Sequence, residues 1–278
     1  MKEVKALVLT GYGLNCDYET HFSLSLAGAN PERVHINELL SDTRHGTGVS
    51  LHNYHILVLG GGFSWADDHG AGVVMAARLR YNIGEEIEEF IREGKLILGI
   101  CNGFQALVNL GLLPGLDGHY RSREVAVIYN DSGNFVDTWI KLTVKEDSVC
   151  IFTRGISSLE LPVRHGEGKF YASQEIIDRL TGENQIVMQY ADEQGNPAQG
   201  RWPCNPNGSL YDIAGICDST GRIFGLMPHP EAYNHYTNHP GWVLKREQLA
   251  RTGKGVEREE GEGIAIFRNA VDYIRKNL

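Results

Sequence analysis

Apolar and polar positions alternate in two textures along the 278 residues. In the first half, short apolar runs are separated by stretches of helical period. Lys5 to Leu9 (KALVL) reads as a strand, Glu19 to Leu26 as a helix stopped by Gly28, and His55 to Leu59 (HILVL) as a second strand. Ile83, Ile87, Phe90 and Ile91 recur on one helical face, which predicts a helix over Glu85 to Arg92 ended by Gly94. Lys95 to Ile100 (KLILGI) is almost continuously apolar, as expected of a parallel strand covered on both faces. Strands separated by helices imply right-handed βαβ units, and hence an α/β fold with an open, doubly wound, mostly parallel sheet and helices on both faces.

Beyond Pro114 the pattern changes. Glu124 to Tyr129, Phe135 to Val144, Ser158 to Val163, Gln185 to Tyr190, Tyr211 to Cys217 and Arg222 to Met227 all read as strands, which implies an added antiparallel layer. Residues 233–262 are polar, with Lys254 to Glu262 reading as a solvated loop. Ile264, Phe267, Val271 and Ile274 then form the stripe of a closing helix. No internal repeat is visible. The chain is read as one domain over residues 1–278, with 232–278 a C-terminal extension.

Composition narrows the function classes. A chain with 42% hydrophobic and 22% charged residues has enough apolar material for a sizeable core. The net charge of -9, without a basic run interleaved with aromatics, argues against a nucleic-acid partner. The apolar stretch after Met1 is too short for a signal peptide, and no run is long enough to span a bilayer, so no membrane association and a cytoplasmic location are expected. The five cysteines, Cys16, Cys101, Cys150, Cys204 and Cys217, are odd in number and lack CxxC spacing, which fits free thiols better than disulfides or zinc.

Gly99-Ile100-Cys101-Asn102-Gly103 lies where the Lys95 to Ile100 strand gives way to a helical run, Phe104 to Leu110. This is the setting of a nucleophile elbow, with cysteine in the serine position. The sharp turn leaves no room for side chains two residues before and after the nucleophile, and the helix N-terminus favours thiolate. The alternative is a small buried hydrophobe, although a plain strand end would not need both glycines. A thiol near its free pKa also needs a base. Met227-Pro228-His229-Pro230-Glu231 supplies an imidazole stiffened by two prolines, with a carboxylate two residues on to orient it. Gly60-Gly61-Gly62-Phe63-Ser64 is a candidate second oxyanion donor; it is equally a tight turn, and without GK[ST] it is no P-loop.

These blocks resemble class I glutamine amidotransferases, and among them the glutaminase subunits of phosphoribosylformylglycinamidine synthase. The wider group shares the elbow and His-Pro-Glu. The narrower likeness rests on Asn102-Gly103-Phe104-Gln105, Pro162-Val163-Arg164-His165-Gly166-Glu167-Gly168, Asn205-Pro206-Asn207-Gly208-Ser209 and the Asn15-Cys16-Asp17 block. The resemblance implies a flavodoxin-like fold and hydrolysis of L-glutamine to glutamate and ammonia through a thioester on Cys101. It implies His229 as base and Glu231 as its orienting carboxylate. It also implies an oxyanion hole from the Gly62 and Asn102 amides, and glutamine contacts from Gly61, Gln105, His165 and Gly166. The ammonia would pass to a synthetase subunit that holds ATP and magnesium, with a small accessory subunit as a further partner. No cofactor is expected in this chain.

By chemistry alone, His165 to Gly168 and Asn205 to Ser209 also read as surface turns. The family carries an aromatic residue and then Gly-Asp after Ser64, whereas this chain has Trp65-Ala66-Asp67-Asp68. His235 and His239 with His229 lack the spacing of a metal site, and none is expected. Two rival readings remain: a stand-alone cysteine hydrolase or peptidase on the same elbow, and a catalytically silent assembly subunit.

Overall fold

Four of five parallel strands are apolar runs, which explains their place in the middle of the molecule beneath the site. The computed structural model describes residues 2–41, 48–253 and 259–278. Among these, β1 (Lys5–Thr10), β3 (Ile56–Leu59), β4 (Leu96–Ile100) and β11 (Ile223–Leu226) are buried along nearly their whole length. Between and beyond them run α1 (Asp17–Leu26), β2 (Asn30–His35), α2 (Ile36–Leu39), α3 (Val73–Arg92) and α4 (Asn102–Leu110). The chain continues through β5 (Val125–Tyr129), β6 (Val136–Val144), β7 (Ser158–His165), β8 (Glu167–Ala172), α5 (Gln174–Gly182), β9 (Ile186–Ala191) and β10 (Ile213–Cys217). Two helices, α6 (Trp242–Arg251) and α7 (Ile264–Asn277), follow β11.

The strands form a nine-stranded sheet in the order β2-β1-β3-β4-β11-β10-β9-β6-β7 and a separate antiparallel pair, β5-β8. The half from β2 to β11 is parallel, and the half from β10 to β7 is antiparallel; β11, expected in the antiparallel layer, instead runs parallel to β4 because it closes the buried centre of the sheet. The antiparallel strands thus mostly extend the parallel sheet sideways, and only β5-β8 stands apart from it. With β2 and β3 on opposite sides of β1, right-handed crossovers put α1 on one face and α3 and α4 on the other. The order reverses at β1, and in open sheets such a reversal opens a crevice at the carboxyl ends of the strands.

Several elements differ from the sequence-based expectation. β2 was unanticipated because Asn-Pro-Glu-Arg-Val-His is polar, and Val34 alone is buried within it. It is an edge strand, where a proline costs no central ladder bond. β8 and α5 were likewise unanticipated; α5 is capped by Ser173, whose hydroxyl accepts the Ile176 N–H at 3.4 Å. α6 also lies in a stretch read as polar loop and buries no residue, so no apolar stripe announced it. α3 begins twelve residues before the expected Glu85. Of the expected loop Lys254 to Glu262, residues 254–258 lie outside the described residues. Glu260 is bonded to Arg268 at 2.8 Å and Gly261 is buried, so that end is anchored to the body. α7 buries Ile264, Phe267, Val271 and Ile274, the stripe expected of it.

Candidate active site

Cys101 sits between the end of β4 and the start of α4 with φ 51° and ψ -107°, a conformation rare for any residue but glycine. The flanking glycines make the turn possible. A Cβ on Gly99 would stand 2.5 Å from Leu107 Cδ1 and 2.8 Å from the Gly103 carbonyl, and one on Gly103 would fall on the Leu59 carbonyl oxygen. β3 and α4 therefore touch backbone to backbone beneath the elbow. Position 102 is the first helical residue, so its N–H has no partner within the helix.

His229 follows β11, the neighbour of β4, and its N–H is anchored to the Pro162 carbonyl at 2.9 Å. Its Nδ1 lies 2.6 Å from Glu231 Oε1, with the carboxylate fully buried. His229 Nε2 and Glu231 Oε2 are both buried without a hydrogen-bond partner among the described residues. Burial opposes charge on the ring, but the Glu231 carboxylate and the Cys101 and Cys16 sulfurs, as acceptors for the imidazolium, outweigh it and hold the His229 pKa well above its usual value. The structure thus brings Cys101, His229 and Glu231 together from distant parts of the chain.

The loop after β3 packs on the loop after β1. Phe63 N–H bonds to Gly13 O at 2.8 Å, Trp65 N–H to Tyr12 O at 2.8 Å, and Cys16 N–H to Gly61 O at 3.3 Å. A Cβ on Gly61 would stand 2.7 Å from His229 Cε1. Gly62 has φ 145°, and a Cβ there would fall on the Gly13 carbonyl oxygen. Only glycine lets this loop slide beside the imidazole. The Asn102 side chain then ties loop to elbow: Oδ1 accepts the Ser64 N–H at 3.2 Å, and Nδ2 donates to Asp67 Oδ1 at 2.9 Å and Gln105 Oε1 at 3.2 Å. That bracing role was not visible in the sequence, since nothing local relates Asn102 to Asp67.

The β7-β8 turn closes the site from the other side. Cys101 Sγ is 3.8 Å from the Arg164 carbonyl, and Gln105 Nε2 donates to the Glu167 carbonyl at 2.5 Å. Cys101 is only 4% exposed, so the site is shut in this state. The His165 ring faces away into a polar core, with Nδ1 3.1 Å from Asn130 Oδ1 and Nε2 3.5 Å from Asn207 Nδ2. Burial lowers its pKa to about 3, which keeps the ring neutral. Gly168 is required because a Cβ would meet that ring. Gly166 has open space where a Cβ would be, and its carbonyl accepts the Asn130 N–H at 3.0 Å. Asn205, Asn207 and Ser209 are buried rather than on a surface turn: Asn207 Nδ2 donates to Gly168 O at 2.8 Å and to the Tyr190 hydroxyl at 2.9 Å, and the Ser209 hydroxyl accepts the Phe170 N–H at 2.9 Å. The two motifs that read as surface turns are thus one buried bracket behind residues 164–167.

His235 and His239 are engaged elsewhere. His235 Nδ1 is 2.7 Å from the Thr237 hydroxyl, and His239 Nε2 is 3.0 Å from Glu160 Oε1. Donor atoms of Cys16, His229 and Glu231 do lie within 4.8 Å of one another. The 2.6 Å Nδ1–Oε1 contact, however, is a hydrogen bond that leaves no room for a cation between them.

Residues 3–274 match the family model described as a CobB/CobQ-like glutamine amidotransferase domain. The phosphoribosylformylglycinamidine synthase subunit PurQ of Methanococcus maripaludis is 44% identical over 98% of this chain and 98% of its own. The PurQ of Dehalococcoides mccartyi is 44% identical over 99% and 100% of the two chains. Among solved structures, a chain of PurLQS from Thermotoga maritima superposes with a TM-score of 0.70 at 28% identity, covering 98% of this chain and 100% of that one. No helix among the described residues is long and apolar enough to cross a membrane. With the family match running almost from end to end and the relatives covered over nearly their full length, the chain belongs to the CobB/CobQ-like glutamine amidotransferase family.

Proposed function

We propose that this protein is the glutaminase subunit of phosphoribosylformylglycinamidine synthase, hydrolysing L-glutamine and supplying its ammonia to a synthetase subunit in purine biosynthesis. The observation that carries the reading is the strained Cys101 turn, which the fold maintains beside a buried imidazole–carboxylate pair. Strain of this kind persists where the surrounding structure over-determines it, and here two glycine contacts do so.

Chemically, Cys101 Sγ attacks the side-chain carbonyl carbon of glutamine and the thiol proton goes to His229. The tetrahedral oxyanion is met by the N–H groups of Asn102 and Gly62. Its collapse breaks the C–N bond, the imidazolium returns the proton to the departing ammonia, and a γ-glutamyl thioester remains. Water, deprotonated by His229, then releases glutamate and restores the thiol. Glu231 holds the ring so that Nε2 faces the thiol. Gly61, Gln105 and the His165-Gly166 backbone line the amino-acid end of the site.

ATP and magnesium belong to the synthetase in this reading. The Thermotoga maritima relative is solved as PurLQS, which supports an assembly with the synthetase and a small third subunit. The chain acts as one domain, in the cytoplasm. The test is glutamine hydrolysis by the wild type and Cys101→Ala, with and without the synthetase, together with covalent labelling by a diazo ketone analogue of glutamine. Turnover and labelling at Cys101 that vanish in the variant support the proposal. Labelling at Cys16 or Cys217, or turnover that survives in Cys101→Ala, overturns it.

A further inference from the structure

The imidazole of His229 has a thiol on more than one side. Besides Cys101, it meets Cys16, whose Sγ lies 3.2 Å from the point where a Gly61 Cβ would stand; that same point is 2.7 Å from His229 Cε1 and 3.3 Å from Nδ1. With donor atoms of Cys16, His229 and Glu231 within 4.8 Å of one another, Cys16 Sγ lies beside the Cε1–Nδ1 edge of the ring and near the Glu231 carboxylate. Cys16 is 7% exposed. It precedes α1 without capping it by its side chain, so the thiol is not needed by the helix.

We infer that Cys16 is a positioning residue for His229, its thiol walling the Nδ1 edge of the ring and offering an S–H to the buried His229–Glu231 pair; the inference rests on the reading of His229 as the base for Cys101.

Three features support it. One donor atom each of Cys16, His229 and Glu231 lies within 4.8 Å of the others, and Glu231 Oε2 is buried with no partner among the described residues, so a weak donor turned toward it is favourable. The Cys16 backbone is fixed from both directions, by its N–H on the Gly61 carbonyl at 3.3 Å and by the Thr20 hydroxyl on its own carbonyl at 2.6 Å. The loop that carries Gly61 and Gly62 and the ring that serves Cys101 are thus registered to each other through one residue. Finally, burial and the neighbouring Glu231 raise the Cys16 pKa, which suits a protonated donor and not a second nucleophile. In this structure the Cys16 S–H donates to Asn15 Oδ1 at 3.8 Å, a weak bond from which the thiol hydrogen can rotate toward Glu231.

The experiment compares Cys16→Ser, Cys16→Ala and Cys16→Val with wild type and Cys101→Ala, all assembled with the synthetase. The readouts are kcat and KM for glutamine and the rate of Cys101 labelling by the diazo ketone. Serine keeps a donor, valine keeps bulk without one, and alanine keeps neither. For alanine and valine, kcat is expected to fall about tenfold with KM within about twofold, as for a misplaced base, and labelling to slow in parallel. Serine is expected to restore both rates to within about threefold of wild type, since a hydroxyl replaces the S–H donor. Valine as active as wild type, or serine as impaired as alanine, overturns the inference while Cys101→Ala remains inactive. Turnover in Cys101→Ala would instead bring down the underlying reading.

Discussion

His229 Nδ1 and Glu231 Oε1 stand 2.6 Å apart, with neither residue more than 2% exposed. A carboxylate kept away from water beside an imidazole favours the imidazolium and fixes the tautomer that points Nε2 at the thiol. Glu231→Gln keeps the shape and removes the charge, so kcat for glutamine hydrolysis is expected to fall about a hundredfold or more with little change in KM. Stability should respond as well. The folded His229 pKa lies above its unfolded value, so the pair's contribution is fully present below about pH 6.5 and is lost as pH rises through the folded value. Denaturant unfolding of the wild type should therefore weaken on that alkaline side, and Glu231→Gln should flatten the fall.

Two glycine substitutions separate foldedness from chemistry. Gly103→Ala puts a methyl group on the Leu59 backbone, which cannot move without breaking the β3–β4 pairing, so loss of folded protein is expected. Gly61→Ala meets the His229 ring edge at 2.7 Å and Cys16 Sγ at 3.2 Å, both side chains that can shift. The expected result is a folded protein whose thermal midpoint falls by only a few degrees and whose kcat is reduced at least about tenfold, because a displaced base is costly. Equal loss of stability in both variants would contradict the distinction.

Asp67 links the loop to Asn102 and is half-buried. Desolvation raises its pKa to about 6, against the lowering effect of its bond from Asn102, while the Glu167 charge pushes it up further. Protonation as pH falls through 6 takes the negative charge away from the Asn102 and Gly72 donors and loosens the loop that carries Gly62. A kcat/KM profile from pH 5 to 8 should then show a limb with a midpoint near 6 that is absent in Asp67→Asn, which keeps an acceptor oxygen but does not titrate. An unchanged limb in that variant would assign it to another group.

How much of this was legible in the residues depended on how local the cause was. β1, β3 and β4 announced themselves because each is an apolar run buried on both faces, and the Cys101 elbow did so because steric crowding at a sharp turn demands glycines at fixed spacing. The His-Pro-Glu segment was readable for the same reason, since base and carboxylate lie two residues apart. β2 was not readable: its partner β1 supplies its ladder, and its own side chains face solvent. The bracket of His165 with Asn130 and Asn207 was hidden too, because those residues meet only after β7, β8 and the 205–209 loop pack together. Cys16 offered one signal, the Asn15-Cys16-Asp17 block at the start of α1, but its place against His229 follows from sheet order and not from spacing.

The left-handed turn after Ser64 can be tested as backbone strain. Trp65, Ala66 and Asp67 have φ of 52°, 56° and 54°, three consecutive non-glycine residues in the left-handed region. Each such residue costs about 1–2 kcal/mol relative to an unstrained conformation, and glycine avoids the penalty. Ala66 is exposed, so removing its methyl group sacrifices no packing. Ala66→Gly is thus expected to stabilise the protein by about 1 kcal/mol, although the added freedom of the unfolded chain offsets part of that gain. Denaturant unfolding with an unchanged m-value checks the sign. Because the Asn102 side chain holds both Ser64 and Asp67, relief of this strain should leave kcat within about twofold, as for a change that touches no group made tighter in the transition state. A destabilised Ala66→Gly would mean that the strain is absent, and that the alanine has been accommodated by a different backbone path between Ser64 and Asp68.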